Sequence, residues 1–254
     1  MKSIFTSLIC MMAWSCVFSQ SQTIFVETPG TLHSLLDSKE LDASLPLSVS
    51  GSINGSDIKC LRELFGYVSV EDMDESKTAS VTCLDLENAR IVKGGEAYFF
   101  DPLSSLPKEL ASLYTEDDTI GSHMFSFCPF LESVILPKET KYIGSYAFVN
   151  MSSFKVLESP METPPACDET AFYNVGEKNL VVPNGSKDAY SEIPVWAQFG
   201  KILEKQEYEL GIDEKLINSS SPIKNLIYDL QGRRLQAALA KGLYIRGGKK
   251  YLVR

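Results

Sequence analysis

Ile120-Gly121-Ser122-His123-Met124-Phe125 returns further along the chain as Ile143-Gly144-Ser145-Tyr146-Ala147-Phe148. A looser copy, Cys167-Asp168-Glu169-Thr170-Ala171-Phe172, follows at nearly the same offset. The second half of the unit repeats as well. Val134-Ile135-Leu136-Pro137, Leu157-Glu158-Ser159-Pro160 and Leu180-Val181-Val182-Pro183 place prolines at even intervals, at positions 137, 160 and 183. A period of about 20–30 residues marks a solenoid, because so short a unit cannot bury its apolar face alone and neighbours stack to do so. Apolar residues fall at fixed phases: the Ile, the Phe, the position three beyond it (Cys128, Met151, Val175) and the run before the proline. Side chains alternate across a strand, so Val134 and Leu136, Leu157 and Ser159, Leu180 and Val182 point inward. The Gly after the Ile allows a sharp turn, and the proline, which has no N–H, ends the strand. Each unit has room for one strand and one turn of helix or a tight loop.

The pattern Ile-Gly-Ser-x-x-Phe, followed by Cys128, Leu131, Val134 and Leu136-Pro137, resembles the BspA-like leucine-rich repeats of Bacteroidetes surface proteins. Val182-Pro183-Asn184-Gly185-Ser186-Lys187-Asp188-Ala189-Tyr190 and Trp196 are similar to the segment that ends such arrays. The resemblance spans residues 23–204 and implies an exported binding or adhesion protein. Cys167-Asp168 in place of Ile-Gly, and Glu177 in place of Leu, depart from the pattern, as a unit that caps a stack does.

Outward from the repeats, residues 1–19 read as a signal peptide: Lys2, then an apolar stretch from Ile4 to Trp14, then small-residue cleavage after Ser19. Cys16 offers a competing reading as a lipidated cysteine. Residues 20–80 read as an N-terminal α/β cap. Its first helix opens at Thr31 and puts Leu32, Leu35 and Leu36 on one face; Leu47-Ser48-Val49 is a strand. A second helix runs from Ile58 to Phe65, capped by Ser56 or Asp57 and stopped by Gly66. The repeat array with its terminal cap occupies 81–204, beginning with a strand at Leu84-Asp85-Leu86. Two excursions interrupt the period. Ser69 to Ser80 is an acidic loop, and Gly94 to Asp118 carries Tyr98, Phe99 and Phe100 and a short helix between Pro107 and Tyr114. A polar linker over 205–222 leads to residues 223–254, whose alternating strands around glycine turns read as a small β-meander. Tyr228-Asp229-Leu230-x-Gly232-Arg233 with Lys241-Gly242-Leu243-Tyr244-Ile245 resembles C-terminal sorting and anchoring modules of Bacteroidetes secreted proteins, although it is shorter than a complete one; a β-extension that merely covers the chain end is the alternative. The fold class is therefore a mostly-β leucine-rich repeat solenoid with short helices, an N-terminal α/β cap and a C-terminal β-meander.

The chain has 254 residues, 44% hydrophobic and 22% charged, with a formal net charge of -9. From Pro222 to Arg254 eight Lys/Arg stand against Asp229 alone, a net +7, so the chain up to Ser221 carries -16. An acidic body disfavours nucleic acid and anionic membrane surfaces as partners. After signal removal Cys60, Cys83, Cys128 and Cys167 remain, which allows three pairings. Cys128 shares its phase with Met151 and Val175 and reads as a small buried hydrophobe, so free thiols are expected. No spacing suits a metal or a cofactor, and neither is expected. His33 falls on the cap helix and His123 at the outward phase of Tyr146 and Thr170, so both are expected at the surface rather than in a catalytic site.

The expected function is a cell-surface binding module for a protein or glycan, with a structural envelope component or a glycan hydrolase as alternatives and no enzymatic activity expected. If Leu47, Leu84, Val134, Leu157 and Leu180 stack in one inward column, Ser48, Asp85, Ile135, Glu158 and Val181 form an outward one, flanked by Cys83, Ser133, Val156 and Asn179. Ile135, Val156 and Val181, framed by Asp85 and Glu158, would then expose aliphatic surface, a recognition strip to which Ser133 and Asn179 contribute; the Gly94–Asp118 segment or the C-terminal module could instead cover it. Asp118-Thr119-Ile120 resembles a short O-glycosylation signal of exported Bacteroidetes proteins, with Thr119 as acceptor.

Overall fold

The computed structural model describes residues 21–67, 81–100, 105, 107–175 and 177–209, together with four strands within 227–253. The expected signal peptide, including Cys16, the acidic loop at 69–80 and most of the linker lie outside the described residues. The chain divides between Tyr208 and Glu209 into two compact units.

The first unit opens with β1 (Gln22–Val26), α1 (Leu32–Asp37), β2 (Leu47–Ile53) and α2 (Gly55–Leu64). Asn54, rather than Ser56 or Asp57, caps α2. Its side chain accepts from Ser56 N at 3.0 Å, and Asp57 reaches back to Asn54 N at 2.9 Å, a closed capping box. Buried Asp57 also accepts from Gly30 N at 2.6 Å and Leu32 N at 2.9 Å, so one carboxylate fixes the starts of both helices. Gly66, at φ 86°, ends α2 as expected. Next come β3 (Cys83–Asp85), β4 (Ala89–Ile91), β5 (Gly94–Phe100), α3 (Lys108–Ala111) and β6 (Ser112–Thr115). The excursion over 94–118 is thus chiefly an antiparallel β5–β6 ribbon. Its Tyr98 is buried and donates to Ser122 O at 2.9 Å.

The repeats follow: β7 (Thr119–Ile120), β8 (Ser133–Ile135), β9 (Tyr142–Ile143), β10 (Val156–Glu158), β11 (Ala166–Cys167) and β12 (Asn179–Val182), then α4 (Lys187–Ser191), β13 (Lys201–Glu204) and α5 (Lys205–Glu209). Each repeat contributes two strands, not one. The longer strands extend a parallel sheet ordered β1-β2-β3-β8-β10-β12-β13, with β4 also on β2; the two-residue strands form a second parallel sheet, β11-β9-β7. Register brings Leu47, Leu84, Val134, Leu157, Leu180 and Ile202 side by side, and Ile120, Ile143 and Cys167 side by side. The anticipated inward residues, Ser159 included, are all buried. Ser159 Oγ lies 2.5 Å from the Tyr190 hydroxyl, which satisfies a polar group at an apolar phase.

Between the two sheets the chain turns without forming a helix. Backbone donors are satisfied across the stack instead: His123 N to Ser145 O (3.0 Å), Phe125 N to Ala147 O (2.9 Å) and Phe127 N to Val149 O (3.1 Å), then Tyr146 N to Thr170 O (3.2 Å) and Phe148 N to Ala171 O (3.2 Å). The glycines of the first two units, Gly121 and Gly144, serve close approach rather than a sharp turn. A Cβ on Gly144 would sit 2.6 Å from Ser122 N, and one on Gly121 would meet the Tyr98 hydroxyl. Inside the stack an aromatic spine runs from Phe125 to Phe148 (5.5 Å between ring centroids), Phe172 (5.6 Å) and Trp196 (4.7 Å). Trp196 and Tyr190, both fully buried, close the last unit.

The second unit contains β14 (Ile227–Tyr228), β15 (Arg234–Leu235), β16 (Gly242–Arg246) and β17 (Lys249–Val253), antiparallel and ordered β15-β14-β16-β17. This is not the expected meander order, because β16 returns to pair with β14 and leaves β15 on an edge.

Candidate functional site

The outward column has the anticipated register, with Ser48, Asp85, Ile135, Glu158 and Val181 adjacent in turn. Its anticipated exposure is absent. Ile135 is only 5% exposed and Val181 is fully buried. Glu158 is buried too and accepts from Lys205 Nζ at 2.7 Å. Lys205 follows directly on β13, so its side chain crosses β12 to reach β10 and passes over the strand that bears Val181. Burial pushes the Glu158 carboxyl above its usual value, against the opposing pull of the Lys205 ammonium. Asp85 accepts from Ser48 Oγ at 2.9 Å. Asp85, Ser133, Val156 and Asn179 are half-buried. The aliphatic strip is therefore closed at Ile135 and Val181, and the Lys205–Glu158 ion pair runs alongside Val181.

A different surface is open. Phe99, His123, Tyr146 and Tyr173 form a rail along the turns that link the two sheets. Phe99 and His123 stack at 4.7 Å with planes 6° apart, His123 and Tyr146 at 5.5 Å and 25°, and Tyr146 meets Tyr173 edge-on at 6.0 Å. Tyr146 is 38% exposed and Tyr173 54%. His123, expected at the surface, is half-buried within this rail. The inner end rests on Arg62 of α2, whose guanidinium lies 4.0 Å from the Tyr67 ring centroid and 5.2 Å from that of Phe99. The Arg62 side chain is buried, and its Nη1 donates to Met124 O at 2.7 Å. A cation on two π faces and a carbonyl ties the N-terminal helix to the first repeat. His123 and Tyr146 hold φ values of 56° and 52°, in the left-handed region that His visits more readily than Tyr. The period that builds the core also builds this rail, since Phe99, His123 and Tyr146 follow one another at almost the spacing of the repeats. The sequence places His123 and Tyr146 at an outward phase but does not join them to Phe99 or Tyr173.

The remaining candidates are placed as follows. Thr119 is half-buried and its hydroxyl donates to Asp117 O at 3.0 Å. Its neighbour Asp118 is buried between Arg90 (2.9 Å) and Lys141 (2.7 Å), and hydrogen bonds from those two cations hold its carboxyl below the usual range. His33 is exposed beside Asp37. Burial pushes the Cys128 thiol up to about 11 and those of Cys60 and Cys167 to about 12, far from thiolate reactivity at neutral pH. Among the described residues no group of three or more His, Cys, Asp or Glu could hold a metal ion.

Residues 118–193 match the model of the BspA type leucine rich repeat region (6 copies). No curated protein matches the chain. The leucine-rich repeat region covers β7 to α4, and its mostly-strand sheets with few short helices fit a repeat fold. Such repeats suggest a protein-binding module, are generally non-enzymatic, and typically belong to surface or secreted proteins. Among the described residues no helix is long and apolar enough to cross a membrane.

Proposed function

We propose that this is an exported leucine-rich repeat protein that holds a protein partner at or beyond the cell surface, through the tyrosine-bearing edge of its repeats. The observation that carries the reading is the half-exposed pair Tyr146 and Tyr173 at the end of a stacked rail. Tyrosine combines apolar contact area with a hydroxyl and loses few torsions on binding, which is why it is enriched where proteins meet. Here the rings are ordered before any partner arrives, which lowers the cost of association. Holding Tyr146 at positive φ costs about 1–2 kcal/mol that a glycine would not incur. Export is supported by the apolar stretch behind Lys2, with the mature chain starting at Gln20. The basic C-terminal unit is the part proposed to sort or anchor the chain.

The test uses the full mature chain, immobilised and exposed to extracellular and cell-surface protein mixtures. A partner retained by the wild type should be lost from a Tyr146→Ser, Tyr173→Ser variant that still unfolds cooperatively, with a melting temperature only a few degrees lower. Retention that survives the double change puts the contact elsewhere and overturns the reading. For export, the secreted protein should begin at Gln20 and Cys16→Ala should leave processing intact; palmitate labelling that disappears in Cys16→Ala would make the protein a lipoprotein instead.

A further inference from the structure

Strand β1 ends the long parallel sheet, and among the described residues its outer edge is unpaired. Its even-numbered residues turn their backbone toward β2: Gln22 N donates to Pro46 O at 3.0 Å, Ile24 O accepts from Ser50 Oγ at 3.3 Å, and Val26 O lies against Gly51. Thr23 and Phe25 between them therefore turn their N–H and C=O groups away from the sheet. Among the described residues these groups have a single partner, Lys39 Nζ, which donates to Thr23 O at 2.9 Å. Phe25 is 65% exposed, with its ring edge beside Gly51. An unpaired edge bearing an exposed aromatic is a template for one more strand.

Two charges frame this edge. Lys39 stands at its start, on Thr23 O, and Glu27 directly follows its last residue, Val26. Both side chains are exposed, and neither makes an ion pair among the described residues. A lysine at an open edge commonly keeps strands apart. Here the two ends carry opposite signs, so the edge is complementary to itself when turned end for end. A second β1 laid antiparallel, with a two-fold axis beside Ile24, sets Thr23 of each copy opposite Phe25 of the other. In that register the outward N–H groups of one copy meet the outward C=O groups of the other. Lys39 of each copy then lies toward Glu27 of the other, on both sides of the axis. Thr23 O has a second lone pair, so it can take the incoming N–H while Lys39 turns to the carboxylate.

We propose that the mature chain forms a two-fold dimer through β1, in which the long sheets of two copies join edge to edge. A parallel pairing would bring the two Lys39 ammonium groups together, and an unrelated extended peptide would satisfy the backbone without answering both charges. The interface is a short ladder with one aromatic from each copy, at the small end of specific interfaces, so its dissociation constant should be on the order of 0.1 mM.

The experiment is sedimentation equilibrium of the full mature chain from about 10 μM to about 1 mM, a range that brackets that constant. The wild type should pass from monomer to dimer and no further. Thr23→Pro removes an N–H that bonds nothing within the chain, so it should unfold near the wild-type melting temperature and stay monomeric. Lys39→Glu and Glu27→Lys should each weaken dimerisation by about tenfold or more, because each sets like charges together on both sides of the axis. Mixing those two variants should restore it, because every contact across the axis is then again between opposite charges. Should Thr23→Pro fail to fold, this charge exchange at exposed positions decides alone. A wild type that stays monomeric, a dimer that survives folded Thr23→Pro, tighter association in Lys39→Ala (the mark of a mere guard), or a mixture no better than its components would each overturn the proposal. The Tyr146→Ser, Tyr173→Ser variant should dimerise as the wild type does, so this reading and that of the protein partner fail separately.

Discussion

Truncating Phe148 to alanine tests whether the stack is held from inside. Phe148 is 3% exposed and touches three rings, Phe125, Phe172 and Phe154, at centroid distances of 5.5, 5.6 and 6.0 Å. An aromatic side chain buries about 200 Å², worth about 5 kcal/mol at ~25 cal/mol per Å². The alanine methyl and a partly collapsed unfolded chain reduce this, while the cavity left behind adds to it, so the expected loss is about 3–5 kcal/mol. Tyr146, two positions earlier, is the control. It is half-exposed and loses one stacked and one edge-on contact, about 1 kcal/mol. Tyr146→Gly should cost still less, because it removes the strain of φ 52° along with the ring. For a unit of this size about 1 kcal/mol moves the melting temperature by about 2–4 °C, so Phe148→Ala should lose roughly 6–20 °C and Tyr146→Ala only a few. Urea unfolding followed through Trp196, 4.7 Å from Phe172, reads the spine directly. Equal losses for the two alanine variants, or a Phe148→Ala loss below about 2 kcal/mol, would refute the inward and outward assignment.

Gly144→Ala should cost about 1–3 kcal/mol, because the new methyl meets the backbone of Ser122 and Gly121, which no rotamer change can relieve. Gly185→Ala has open space around it and should cost only the strain of its φ of 87°, about 1 kcal/mol; a neutral Gly144→Ala in chemical denaturation would mean that the coils do not approach so closely. Val181→Lys buries a second ammonium beside Glu158, which Lys205 already neutralises, and should lose more than about 3 kcal/mol; an unchanged melting temperature would restore the open strip. Glu158 has a folded pKa raised above the unfolded value, so its contribution is fully present below about pH 4.3 and is lost as pH rises through the folded value. Glu158→Gln should therefore flatten that fall in stability and stay within about 1 kcal/mol of wild type at neutral pH, since Lys205 is half-exposed; a steeper fall in the variant would contradict the sign.

The inward column was legible because it depends only on period and alternation. Leu157 has to face the core if Val134 does, whatever lies outside. Exposure of the opposite column was not legible, because it depends on contacts from distant segments, such as that of Lys205 with Glu158, far apart in sequence and joined only by the route of the last strand. The second sheet was missed for a related reason. Two-residue strands such as Tyr142–Ile143 carry no alternation of their own and exist only as rungs between stacked coils. Gly144 was correctly singled out with the wrong cause. A sequence shows that a Cβ is excluded but not whether a dihedral angle or a neighbour excludes it.

The phases that stacking does not dictate are where binding chemistry can accumulate. Positions 127, 150 and 174 share one backbone conformation, with φ of 57°, 55° and 62°, and carry Phe, Asn and Asn. If conformation alone chose the residue, all three would be Asn or Gly, which fit that region at the least cost. Phe127 is instead 44% exposed, so it bears the strain of the left-handed region without gaining burial in return. Its side chain therefore answers to something other than that backbone conformation, whereas Asn150 and Asn174 are residues the conformation itself favours. The Ile, Gly and Phe phases define the stack, and their sameness is what makes the period visible. Function belongs to the phases that differ, where the backbone is held constant and the side chain is free to vary.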